Sequence, residues 1–333
     1  MIGRLIGTSL VLGLLALAGW GAAAFGRSLV TAPQAPTASG EISGRLVIPM
    51  DAGLSTFELP ALKETRLLNP DRGSAVTSAV WAPSGSEIAY GYFYRKPGDT
   101  ATSAEIFVIP AEGGDPKLLV ERDVPGAQVD FPSWAPDGQS LYFSSLRQEG
   151  PRFISMVERV DRASGARTPI TEGYAPWVSR DGRLVAFLRD SRLGQEIWMM
   201  NADGGEPRQL IQAGRFTAIS SPRFSPDGKS VVFAGANPPG SAESPRGTLV
   251  SLLDVPSASA HGDPFDIWSV STDGGDPTKL AVSGEDEPAL AWSPDGQTLM
   301  MYAPGGIYQF DAHGGTGKKL SDRGGYGGID WTR

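Results

Sequence analysis

The apolar positions of this chain recur in a fixed relation to its turns. A run of apolar or alternating residues comes after a Pro/Ser-Asp-Gly or closely related turn in WAPSGSEIAYGYF from Trp81, WAPDGQSLYFSS from Trp134 and WVSRDGRLVAFLRD from Trp177. The same unit returns as FSPDGKSVVFAGA from Phe224 and WSPDGQTLMMYAP from Trp292. Gly in such a turn accepts positive φ, and Asp bonds back to the local backbone. The run after the turn, as in Ser230-Val231-Val232-Phe233, has the pattern of a half-buried or buried strand. A second unit comes after each of these: IFVIPAEGGDPKLLV from Ile106, IWMMNADGGEPRQLI from Ile197, IWSVSTDGGDPTKLA from Ile267 and IYQFDAHGGTGKKLS from Ile307. Each predicts a strand, a Gly-Gly hairpin turn and a second strand. Two weaker copies fit the same window, VERVDRASGARTPIT from Val157 and STFELPALKETRLLN from Ser55. The fourteenth position is aliphatic in all six: Leu68, Leu119, Ile170, Leu210, Leu280 and Leu320.

Together the two units make four short strands, and the spacing of the aromatic anchors is close to the roughly 40–45 residues of a propeller blade. The chain starts with a second unit at Ser55 that has no anchor before it, and ends with an anchor, GYGGIDW to Trp331, that has no second unit after it. Joined, these halves make one complete blade. The expectation is an all-β, six-bladed β-propeller over residues 41–333, closed by pairing of the N- and C-terminal segments. The C-terminal strand would be the innermost strand of the first blade, which removes an open sheet edge. An open sandwich of several sheets gives no reason for that register.

Before this domain, Leu5 to Phe25 is apolar or small and comes after a basic start at Arg4. Such a stretch predicts one N-terminal apolar helix of roughly 30 Å, about one bilayer core. It reads either as a signal peptide with a small-residue site at Ala22-Ala23-Ala24 or as a retained anchor within residues 1–27. Residues 28–40, containing TAPQAPTASG, read as a Pro/Ala/Ser linker. Both readings place the domain outside the cytoplasm, in a periplasm or at a cell surface, tethered to the membrane through residues 5–25 if the helix is uncleaved.

Composition narrows the function. The 43 glycines and 27 prolines of the 333-residue chain suit a turn-rich fold. A net charge of −8 argues against a nucleic-acid partner, because an acidic surface repels phosphate backbones. The absence of cysteine excludes disulfides, thiolate metal sites, cysteine nucleophiles and a lipid-modified cysteine anchor.

The W-x-P-D-G turn with its strand, and the later D-G-G-x-P turn, resemble the WD40-like repeat of the TolB propeller family. The copies at Trp134-Ala135-Pro136-Asp137-Gly138 and Trp292-Ser293-Pro294-Asp295-Gly296 carry the resemblance most clearly. It covers residues 41–333 and implies the fold more strongly than any activity. The same propeller serves in periplasmic binding proteins, in polysaccharide lyases and as the gate of serine peptidases. The α/β domain of TolB and the hydrolase domain of the peptidases are not expected here, and no G-x-S-x-G nucleophile elbow is present. The expectation is an isolated propeller.

Candidate chemistry is sparse. His313 falls in the hairpin position held elsewhere by Glu112, Asp203 and Asp273, so it reads as a turn residue. His261 lies beside Asp263, and one histidine with one carboxylate makes a poor metal or acid–base site. No metal, cofactor or catalytic set is expected. Asp137, Asp181, Asp227 and Asp295 belong to the turns, and the recurring tryptophans read as blade packing before they read as a sugar platform. The innermost strands should line a channel, and there the non-repeating residues are Asp130, Tyr174, Arg223, Asp286, Glu287 and Asp330. They form the candidate binding site at the channel mouth. The insertion at 237–263, carrying Leu249, Leu252, Leu253 and His261, is the candidate partner loop, with a channel cap or a passive insertion as the alternatives. The function expected is a non-catalytic binding or scaffold module that contacts an envelope protein or a polysaccharide. The alternative is a carbohydrate-active enzyme using acidic channel residues.

Overall fold

A computed structural model describes residues 42–99, 101–236 and 264–333, and all regular structure in them is β. The N-terminal apolar run, the linker and the insertion at 237–263 lie outside the described residues.

The strands fall into antiparallel four-stranded meanders. The first joins β24 (Asp330–Thr332) to β1 (Gly44–Met50), β2 (Gly53–Leu59) and β3 (Lys63–Leu68). The second is β4 (Ala75–Trp81), β5 (Glu87–Tyr94), β6 (Ser103–Pro110) and β7 (Lys117–Val120). The third is β8 (Gln128–Trp134), β9 (Ser140–Glu149), β10 (Arg152–Asp161) and β11 (Arg167–Glu172). A single parallel bridge, Ala104 to Gln128, ties the second and third into one sheet. The fourth is β12 (Tyr174–Val178), β13 (Leu184–Ser191), β14 (Gly194–Asn201) and β15 (Arg208–Ile211). The fifth is β16 (Ala218–Phe224), β17 (Ser230–Ala236), β18 (Phe265–Ser271) and β19 (Thr278–Glu285). The sixth is β20 (Ala289–Trp292), β21 (Thr298–Ala303), β22 (Gly306–Asp311) and β23 (Lys318–Ser321).

Each meander buries its apolar residues against the next. Val47, Leu54 and Trp81 share one core between the first and second meanders, and Ala89, Val108, Trp134 and Phe143 share another between the second and third. The series continues to Met301 and Phe310 of the sixth, packed with Ala234 and Ile267 of the fifth. It closes on itself, because Met300 and Tyr302 of the sixth meander pack with Leu46, Ile48 and Trp331 of the first. The first strands of successive meanders, β4, β8, β12, β16, β20 and β24, contact one another in the same cyclic order.

The aliphatic fourteenth position has a structural cause. In every meander the outermost strand carries a bulge, and the extra residue is Leu119, Ile170, Leu210, Leu280 or Leu320 in the second to sixth. A bulge re-aims a side chain, and each of these packs into the core shared with the adjoining meander. In the first meander the bulged residue is Leu67, not Leu68, because Leu54 pairs with Leu68 and Ser55 with Arg66. The repeat therefore starts at Leu54, one residue before the position expected from the pattern. A second correction concerns the anchor of the fourth meander. Val178, not Trp177, pairs with Val185 as Trp134 pairs with Leu141 and Phe224 with Val231. The reason is the turn: Val178 stands three residues before Asp181, as Trp134 stands before Asp137.

Candidate functional site

Because the strands alternate in direction, the Asp-Gly and Gly-Gly turns lie at one face, the turn face. The remaining connections lie at the other, the loop face. The six predicted channel residues divide between them. Asp130, Tyr174, Asp286 and Glu287 stand at or just before the loop-face ends of β8, β12 and β20, whereas Arg223 and Asp330 stand one residue before the turn-face anchors Phe224 and Trp331.

At the loop face, Tyr174 is held from two sides. Its hydroxyl donates to Asp190 Oδ1 at 2.9 Å and accepts from Gln195 Nε2 at 2.6 Å, while Gln195 Oε1 accepts the Ile219 N–H of β16. Burial, then the charge of Asp190, raises the Tyr174 phenol well above its ordinary value, and Glu287 adds to the shift. Also at the loop face, Tyr326 donates to Asp286 Oδ2 at 2.8 Å. Burial and that bond push the Tyr326 phenol up, with further contributions from the charges of Glu287 and Glu285. Glu287 thus acts electrostatically on both tyrosines, one from β12 and one from the connection after β23. Glu285 in turn accepts from Tyr308 and from the Gly305 N–H at 2.9 Å. Acidic groups from the end of β19 and the connection to β20 converge here with two tyrosines, and Tyr326 remains half exposed. The backbone at Glu287 has φ +43°, an uncommon value for a non-glycine residue at an irregular junction.

Asp130 is near these groups in the register but is enclosed. Its Oδ1 accepts from the Ser78 hydroxyl of β4 and from the Phe131 N–H, and burial raises its carboxyl above the ordinary range. A Cβ added at Gly91 would collide with this carboxylate, so the glycine makes room for it. Asp130 is a joint between neighbouring inner strands.

At the turn face, Asp330 plays an equivalent part. Its two oxygens accept the Trp81 N–H at 2.9 Å and the Trp331 N–H at 2.8 Å, and burial still lifts its carboxyl to about 6. Ser133, one residue before Trp134, accepts the Val178 N–H at 3.0 Å in the same way. Arg223 occupies that position in β16 but has no acceptor to offer. Its guanidinium lies 3.8 Å over the Trp177 ring centroid and donates to Pro222 O, while its Nε is buried without a hydrogen-bond partner. Burial lowers Arg223 to about 10, partly opposed by the Asp330 charge.

The expected partner-loop residues Leu249, Leu252, Leu253 and His261 lie outside the described residues. His313 is exposed in the turn after β22, where its N–H donates to Asp311 at 2.8 Å. Among the described residues there is no group of three or more His, Cys, Asp or Glu side chains placed to hold a metal ion, and no helix is long and apolar enough to cross a membrane. Asp190, Gln195 and Tyr326 were not legible as site residues, because they come from a hairpin and a connection that the repeat does not mark. That Trp177 stands one residue before the anchor position was legible only by counting back from Asp181.

No family model matches the chain. It is similar to an uncharacterised protein of Agrobacterium fabrum, 27% identical over 172 residues that cover 50% of this chain and 51% of that protein. It is also similar to an uncharacterised peptidase of Bacillus subtilis, 27% identical over 56% of this chain and 31% of that one. A third relative is the Tol-Pal system protein TolB of Anaeromyxobacter dehalogenans, 28% identical over 36% of this chain and 29% of that one. The chain thus spans about half or less of the length of these relatives. Among solved structures, TolB from Acinetobacter baumannii superposes with a TM-score of 0.66 at 17% identity, covering 88% of this chain and 67% of that one. With its meanders packed in a cycle and its Trp-x-Pro-Asp-Gly turns gathered at one face, the chain has the TolB-like β-propeller fold.

Proposed function

We propose that this protein is a non-catalytic binding module of the bacterial envelope, a six-bladed propeller that works outside the cytoplasm and recognises a cationic segment of an envelope protein at its loop-face mouth. The observation that carries the reading is the convergence of Asp286, Glu287 and Glu285 with Tyr326 and Tyr174. Concave sites with convergent polar groups are where ligands bind, and clustered acidic charge favours a basic partner. The pairing of β24 with β1 supports the blade count, and the relative named as a Tol-Pal system protein supports the envelope setting. The apolar run at residues 5–25 supports export, with membrane attachment if it is retained. A polysaccharide partner has less support, since the mouth is charged and its tyrosine hydroxyls are already bonded to carboxylates. The carbohydrate-active alternative is disfavoured because Asp130 and Asp330 are enclosed and bonded to a hydroxyl and to backbone N–H groups. The insertion at 237–263, with Leu249, Leu252, Leu253 and His261, is proposed as the partner loop; β17 ends and β18 begins at the same face.

The test is cross-linked capture of envelope proteins by the full-length chain in its native membrane. The Asp286→Asn/Glu287→Gln variant should lose the captured species at unchanged melting temperature. Capture that persists in this variant, or that does not weaken with salt, would overturn the mouth as the docking site.

A further inference from the structure

The turn face repeats one arrangement at two joints and breaks it at a third. Between the first and second meanders, the Arg45 guanidinium lies 4.6 Å from the Trp81 ring centroid, donates to Gly85 O at 2.9 Å and pairs with Glu112 at 3.1 Å. Between the second and third, Arg162 lies 5.3 Å from the Trp134 centroid and forks onto the Glu87 carboxylate. Both anchor tryptophans are buried beneath these arginines, Trp81 at 5% exposure and Trp134 at 7%.

Register identifies the matching positions between the fifth and sixth meanders. Arg45, Glu87 and Ser230 each stand just before the residue that pairs with the anchor of their own meander. Arg162 and Ala312 each come directly after the last residue of their third strand. At this joint both covering positions therefore hold small side chains, Ser230 and Ala312, and His313 stands where Glu112 pairs with Arg45. The anchor, Trp292, is only half buried. A cleft of about 440 Å³ opens beside it, lined also by Asp227, Asp295, Gln297 and His313. Both carboxylates are held below the ordinary range, Asp227 by the Ser225 hydroxyl and Asp295 by the Ser293 hydroxyl, so they are ionised at neutral pH.

We propose that this cleft accepts an arginine side chain of a protein partner, whose guanidinium takes the place over Trp292 that Arg45 and Arg162 take over Trp81 and Trp134. The seat has the chemistry a guanidinium needs: an aromatic face, on which cation–π attraction acts, and carboxylates at the rim able to accept charge-assisted bonds. A partner supplies from outside what the chain supplies for itself at the two sister joints. This site is on the face opposite the acidic mouth and does not depend on it.

The experiment is an indole NMR titration of the full-length chain in detergent, with the Trp292 signal assigned by its loss in Trp292→Phe. The probe is a blocked Gly-Arg-Gly tripeptide, compared with its citrulline analogue and with a neutral trisaccharide. The arginine peptide should shift the Trp292 signal saturably, the citrulline peptide should bind roughly tenfold more weakly, and the trisaccharide should leave the signal in place. Ser230→Arg, which fills the seat from within, should abolish the titration without lowering the melting temperature, while Asp286→Asn should leave it intact. No saturable shift with the arginine peptide overturns the proposal. So does equal binding of citrulline, saturable binding of the trisaccharide instead, or undiminished binding to a folded Ser230→Arg variant.

Discussion

Asp330 of β24 accepts the backbone N–H of Trp81 in β4 at 2.9 Å, joining residues 249 positions apart in sequence. The bond lies beside the pairing of β24 with β1, where Leu46 faces Trp331 and Val47 faces Asp330. Both interactions join the end of the folded domain to its beginning, so the cycle of meanders depends on them.

Removing residues 325–333 should therefore leave one edge of β1 unpaired and uncover the core around Leu46 and Ile48. Trp331→Ala is the milder form, with an expected cost of about 3–5 kcal/mol for a buried aromatic. Thermal unfolding with light-scattering detection should show aggregation of the truncated chain and a large fall in melting temperature for Trp331→Ala. An unchanged melting temperature would exclude closure by this strand.

Asp330 also sets a pH dependence. Its carboxyl titrates near 3.8 when free and at about 6 in the folded protein. Between about pH 4 and pH 6 the folded state keeps a proton that the unfolded chain has released, so stability falls as pH rises through that window. Relative to Asp330→Asn, which does not titrate, the wild type should lose about 2 kcal/mol from pH 4 to pH 7. Denaturant unfolding of both proteins across this range checks the sign. A difference independent of pH would rule out the raised carboxyl.

Gly91 and Asp130 should be energetically coupled. Gly91→Ala places a methyl group against the Asp130 carboxylate and Thr77 Oγ1, and overpacking of this kind costs about 1–3 kcal/mol. In a double-mutant cycle with Asp130→Ala, which removes the colliding group, the two losses should be less than additive. Additive losses would mean that the contact is not the cause.

The acidic cluster at the loop face should be visible in tyrosine titration. Asp286→Asn removes both the carboxylate that Tyr326 bonds and one of the charges that raise its phenol. Ultraviolet difference titration should show one tyrosine moving down toward the ordinary value near 10. Glu287→Gln should produce a smaller shift in the same direction and should also act on Tyr174.

The amino-acid sequence by itself determined the repeat, the strand content and the meeting of its two ends. Those features come from local rules: glycine at positive φ in most turns of the repeat, apolar alternation in the strands, and one bulged aliphatic per unit. The tertiary structure decided what the repeat does not encode. Leu67 and Val178 hold places that the pattern gives to Leu68 and Trp177, because hydrogen-bond register, not side-chain type, assigns equivalence. Asp130 and Asp330 resembled mouth residues in the sequence, yet each is bonded into a joint, since whether a carboxylate faces solvent depends on the neighbouring strand. The open seat over Trp292 is legible only by comparing joints. Ser230 and Ala312 are ordinary residues alone, and their meaning comes from the arginine and glutamate that sister joints place at the same register.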